Sequence, residues 1–133
     1  MGLDELRKQF IVDDDLLKTR IEPLVAKALQ HCRIDKKGLV SITNSRMSAA
    51  NQLRLILAAR AIAAQLDESI SADVSLADLE ACTGLPANQI RARVNDIIKS
   101  KFAGAPVRGT YRAVPHKIES FLDSIETSPA TAR

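Results

Sequence analysis

The sequence predicts a mainly α-helical domain with a small β-hairpin toward its C-terminal end. Three observations lead there. Leu76 to Ser100 reads as two short helices joined by a tight turn at Gly84, the pattern of a helix-turn-helix. Ala49 to Leu66 is apolar almost all round (Leu53, Leu55, Ile56, Leu57, Ile62 and Leu66, with alanines between), which marks a buried central helix. Phe102–Pro106 and Thr110–Ala113 flank a turn at Arg108-Gly109, as two paired strands would.

Taken in order, Leu3, Leu6 and Phe10 place one apolar side on a short N-terminal helix. Asp13, Asp14 and Asp15 suit the start of a second helix, because the helix dipole favours negative charge at its N-terminus. Its stripe of Leu17, Ile21, Leu24, Val25, Ala28, Leu29 and Cys32 predicts that it runs to about Cys32, with Pro23 kinking it or marking a junction. Gly38 opens a β-branched run that predicts a strand over Leu39–Thr43, followed by a turn at Asn44-Ser45. Ser48 then caps the central helix. Residues 69–74 connect it onward and have room for one short strand.

Ser75 is a good N-cap for the next helix, on which Leu76 and Leu79 face inward. Gly84 ends that helix where a left-handed backbone is expected. Pro86 fits the first turn of the following helix, since its missing N–H leaves no bond unmade there. Ile90, Val94, Ile97 and Ile98 recur at helical spacing on this second helix, Pro86 to Ser100. After the hairpin, Pro115 starts a last helix, His116 to Ile125, with Ile118, Phe121, Leu122 and Ile125 inward. Residues 127–133 are polar and read as a disordered end.

The run Leu79 to Ile97, with Thr83-Gly84-Leu85 at the turn, resembles the helix-turn-helix of winged-helix DNA-binding proteins, and the hairpin through Thr110-Tyr111-Arg112-Ala113 resembles the family's wing. The resemblance covers roughly residues 53–125. Glu80 stands where such families often carry a small residue. The fold class it implies is a winged helix-turn-helix with extra N-terminal helices. Residues 1–47 would then be a helical extension with a short strand, 48–126 the winged unit, and 127–133 the tail. The extension either packs across the domain or pairs with a second copy in a homodimer, as two-fold DNA sites favour.

Charge points the same way. The net charge is +3, but from Pro86 to Lys117 seven basic residues face one acid, whereas residues 67–85 hold five acids and no base. A positive field concentrated on one helix and the hairpin is the footprint of a phosphate-binding face. The resemblance implies that Asn88, Gln89, Arg91 and Asn95 meet base edges from the major groove, beside Ala87 and Ala92. Asn and Gln suit adenine and Arg suits guanine. Arg93 and Lys99 are expected on phosphates, Arg108 at the wing tip, and Arg112 and Lys117 in support.

The implied function is sequence-specific binding of double-stranded DNA, with transcriptional regulation as its use. The helix Pro86 to Ser100 lies in the major groove and the wing on the flanking backbone or minor groove. The alternative is an adaptor whose winged helix binds another protein, since fold alone does not fix function.

Other classes find little footing. Aromatics make up 3% of the chain, too few for a base-stacking platform. Tyr111 alternates toward either core or groove, and core packing is the expectation. Cys32 and Cys82 read as small buried hydrophobes in a reducing cytoplasm, with His31 and Cys32 pointing different ways on a helix. They form no metal-ligand spacing with His116, and no cofactor is implied. A phosphate loop, a nucleophile elbow and a metal-binding helix are all missing from the pattern, which reads as a non-enzyme. The N-terminus lacks a signal-peptide core and, with Leu6 at the acceptor position, a myristoylation pattern. Residues 53–66 are too short and too interrupted to span a membrane, so a soluble protein is expected.

Overall fold

In a computed structural model the chain is described over residues 2–5, 20–44 and 47–126. The expectations for Leu6, Phe10, Asp13–Asp15, Leu17, Ser45 and the tail 127–133 lie outside those residues. Among the described residues the fold is predominantly helical with two small antiparallel sheets.

Helix α1 spans Ile21–Leu29, with Leu24 and Ala28 buried. Pro23 sits in its first turn, where no helical N–H is needed, so within the described helix it marks a beginning. The helix stops three residues short of Cys32. Cys32–Ile34 forms strand β1, which pairs with β2 (Val40–Ile42) in the register Cys32↔Ile42 and Ile34↔Val40. Cys32 and His31 therefore belong to a strand and the turn before it, and the helical reading there is corrected. Cross-strand pairing wins over the helical stripe because the 35–39 loop closes the hairpin tightly. Asp35 Oδ1 accepts the N–H groups of Lys37 and Leu39, and Gly38 adopts φ +90°. Those are the devices of a tight turn.

Helix α2 (Ala49–Leu66) is the hub. The Ser48 side chain accepts the Asn51 N–H at its start, and every residue from Leu55 to Ala63 is buried. Helix α1 and both strands of the β1–β2 hairpin pack against it, as do most of the elements that follow. No described helix is long and apolar enough to cross a membrane.

Strand β3 is only Val74–Ser75 and passes directly into α3 (Leu76–Thr83). Ser75 and Asp78 form a reciprocal capping box, and Gly84 closes the helix at φ +74°. Glu80 is exposed, so α3 packs through Leu79 and needs no small residue at position 80. Helix α4 spans Ala87–Lys99, with Pro86 as its N-cap, one residue before the first turn. The first hairpin strand is shorter than Phe102–Pro106: β4 covers Ala103–Gly104 before Pro106, which has no N–H to pair. Strand β5 (Thr110–Ala113) matches its expected bounds and lies central in the order β3-β5-β4. Tyr111 is half-buried against the core.

Helix α5 (Pro115–Glu126) returns alongside α1. Glu119 on α5 accepts hydrogen bonds from Arg20 (2.6 Å) and Lys27 (3.1 Å), and Lys27 also reaches Asp123. The hydrogen bond from Arg20, then that from Lys27, holds the Glu119 carboxyl below its ordinary range. The same contacts raise both cations. The segment before β2 is thus clasped to the last helix of the same chain.

Candidate nucleic-acid interface

Helix α4 owes its orientation to three side chains. Ile90, Val94 and Ile97 are fully buried and aim one face at α2 and α3. Helical geometry then decides what faces out. Asn88, Ala92, Asn95 and Lys99 lie opposite the buried stripe, on a helix of 13 residues, about 20 Å long. Arg91 stands on one flank of that outer stripe, and Gln89 and Arg93 stand on the other. All of these side chains are exposed. Among the described residues, none of the polar ones makes a hydrogen bond or an ion pair through its side chain. Ala92 at the centre leaves the middle of the face flat, while Ala87 is half-buried at its start.

The β4–β5 hairpin adds a further exposed cation. Gly109 at φ +85° and the 3.0 Å hydrogen bond from Thr110 N–H to the Val107 carbonyl tighten its tip. Arg108 is exposed there, beside exposed Val107. Arg108 makes no ion pair within the described residues.

Two of the basic residues singled out from sequence have other surroundings. Arg112 lies on β5, but its Nε donates to Asp73 Oδ1 at 2.6 Å, tying the hairpin to the 67–74 loop. Lys117 is half-buried on α5 and faces a cleft shared with α2, not the hairpin tip. The first partner is 39 residues from Arg112 in the chain, which no local pattern announces.

The acidic segment is also largely accounted for. Asp67 accepts from the Ser69 hydroxyl and N–H, in that order of weight, and its carboxyl is held low as a result. Asp73 is paired with Arg112, and Asp78 with Arg60. Glu68 and Glu80 remain exposed.

Arg60 is the residue that sequence reading passed over. It is 6% exposed in the middle of α2. Its guanidinium donates to the carbonyls of Ser71 (2.8 Å), Asp73 (3.0 Å) and Gly38 (3.2 Å) and to Asp78 Oδ2 (3.2 Å). It thereby fixes the loop leading into β3 and the capping box of α3, which sets where α4 begins. A charge set within the apolar run Leu55–Ala63 was its signal, because a buried cation requires partners.

The sulfur and imidazole groups sit apart from this face. Cys32 is buried, which pushes its thiol up to about 11, and Cys82 is half-buried with its Sγ accepting the Val40 N–H at 3.3 Å. Burial raises the Cys82 thiol as well. His31 is buried with its Nδ1 3.2 Å from the Asn44 amide, and His116 is exposed at the start of α5. No group of three potential metal ligands comes together among the described residues.

Comparison with protein-family models, with curated proteins and with solved structures finds no match to this chain.

Proposed function

We propose that this chain is a winged helix-turn-helix protein that binds double-stranded DNA sequence-specifically and regulates transcription. The observation that carries the reading is the outer face of α4. Asn88, Gln89, Arg91, Arg93, Asn95 and Lys99 stand exposed with no internal partner, on a helix whose opposite face is anchored by three fully buried side chains. Polar groups held rigidly and left unsatisfied by the protein are suited to base edges and phosphates. The element order α2-β3-α3-α4-β4-β5, with β5 between β3 and β4, supports the winged-helix assignment.

In this reading α4 enters the major groove. Asn88, Gln89 and Asn95 have the chemistry for adenine, and Arg91 for guanine. Arg93 and Lys99 meet phosphates, and Arg108 reaches the flanking backbone or minor groove from the hairpin tip. Arg112, held by Asp73, contributes less. The protein acts as a homodimer through its N-terminal helices, a reading supported by exposed Leu29 on α1 beside exposed Leu66 at the end of α2.

Selection of bound duplexes from a random pool, read at two salt concentrations, tests this. A two-fold symmetric consensus is the expected outcome. Arg91→Ala combined with Arg108→Ala is expected to weaken binding and flatten its salt dependence by about one to two counterions. Absence of duplex binding at low salt would sink the reading. A protein complex that survives high salt and tolerates both substitutions would favour an adaptor instead.

A further inference from the structure

Four Lys or Arg side chains among the described residues are withdrawn from full exposure: Lys27, Arg54, Arg60 and Lys117. Lys27 has Glu119 and Asp123, and Arg60 has Asp78. Arg54 and Lys117 have no carboxylate partner, although taking a cation even partly out of water is unfavourable unless a counter-charge replaces the lost hydration. These two residues are 63 positions apart in sequence, yet both line one cleft of about 340 Å³ between α2, α5 and the α4–β4 junction. Among the described residues, no acidic one lines it.

We infer that this cleft binds a small organic oxyanion, a carboxylate or a phosphate, between the Arg54 guanidinium and the Lys117 ammonium. Asn51 orients the site: its Oδ1 accepts from Arg54 Nη1 at 2.8 Å. That bond occupies the amide oxygen and leaves the Asn51 NH₂ as a third donor. The three serine hydroxyls on the walls already donate to backbone, Ser100 to the Ile97 carbonyl, Ser120 to the Lys117 carbonyl and Ser124 to the Phe121 carbonyl. Recognition of charge therefore falls to the two cations and the amide. Guanidinium and ammonium are the donors that make short, charge-assisted bonds to oxyanions. Phe102 and Phe121, packed edge to face at 5.3 Å, give the cleft an apolar floor. That floor favours an anion carrying a ring or short chain over a bare ion. The volume is at the small end of the range for small-molecule sites.

The site is independent of the DNA reading: it shares no residue with the outer stripe of α4 and would exist on an adaptor equally well. The test is a titration of the full chain with benzoate and, separately, with inorganic phosphate, followed by amide chemical shifts. Saturable shifts confined to residues around Asn51, Ser100, Phe102 and Lys117, complete by about 10 mM, are expected for at least one of the two. Lys117→Gln, whose side chain has no internal bond to lose, is expected to weaken that binding at least about tenfold, and Arg54→Gln similarly. The exposed-loop control Lys36→Gln is expected to leave it unchanged. Shifts that stay linear, spread over surface lysines, or persist in Lys117→Gln would overturn the inference. So would a DNA duplex that moves these amides while neither free anion does, since the cleft would then serve nucleic-acid phosphate.

Discussion

Replacing Arg60 by Met keeps most of the aliphatic stem that α2 packs around and removes only the guanidinium. Four hydrogen bonds go with it, three to main-chain carbonyls in two loops and one to Asp78. Each carbonyl left buried without a donor costs about 1–3 kcal/mol, with water recovering part of that at the loop surface. Asp78 is partly solvated and keeps its bond from the Ser75 N–H, so its loss is the smaller share. The total comes to about 3–5 kcal/mol, the usual range for removing one partner of a buried ion pair. For a chain of this size that lowers the thermal midpoint by about 10–20 °C. Urea unfolding followed by circular dichroism measures it directly, with the slope checked for two-state behaviour. Arg60→Lys retains the charge, but one ammonium nitrogen cannot span acceptors on two loops and α3, so an intermediate loss is expected. A Met variant within about 1 kcal/mol of wild type would refute the assignment of Arg60 as the clamp on the 67–74 loop.

Three further outcomes are expected. Gly38→Ala places a methyl 3.1 Å from Arg60 Cζ at a backbone φ of +90°, so it should destabilise by about 1–3 kcal/mol in the same urea assay. Glu119 has a depressed carboxyl pKa, so its contribution is present above its ordinary value of 4.5 and is lost as pH falls below it. Thermal midpoints between pH 7 and pH 3 should therefore fall less steeply in Glu119→Gln than in wild type, from a lower starting point. Asp73→Asn releases Arg112 and removes a negative charge beside the hairpin. On the proposed function it should tighten duplex binding several-fold at low salt and steepen the salt dependence by about one counterion.

What was legible in the sequence was what local chemistry determines. Ser48, Ser75 and Gly84 punctuate helices because caps and left-handed turns require those residue types, and the periodic isoleucines and valine of α4 gave its buried face. Strand β1 was not legible from Cys32-Arg33-Ile34 alone. Three residues become a strand only through a partner eight positions on, although Asp35 and Gly38 around Lys36-Lys37 were a turn signal in view. The candidate interface divides the same way. Arg91, Arg93 and Lys99 face outward as helical spacing dictates, but the Arg112–Asp73 pair and the Lys117 cleft arise from tertiary proximity that spacing does not encode.

Helix α2 has one further consequence. It packs against α1 and the β1–β2 hairpin, and Arg60 reaches from it to the Gly38 carbonyl at the tip of that hairpin. A cut near residue 47 that kept only the C-terminal elements would bare a strip of leucine, isoleucine and alanine and leave a cation short of an acceptor. The amides of α2 should consequently exchange with solvent only when the whole chain opens, as one cooperative unit rather than an extension and a core. The boundary that the resemblance implies at position 47 is crossed by the contacts of α2 with α1 and the β1–β2 hairpin and by the Arg60–Gly38 hydrogen bond.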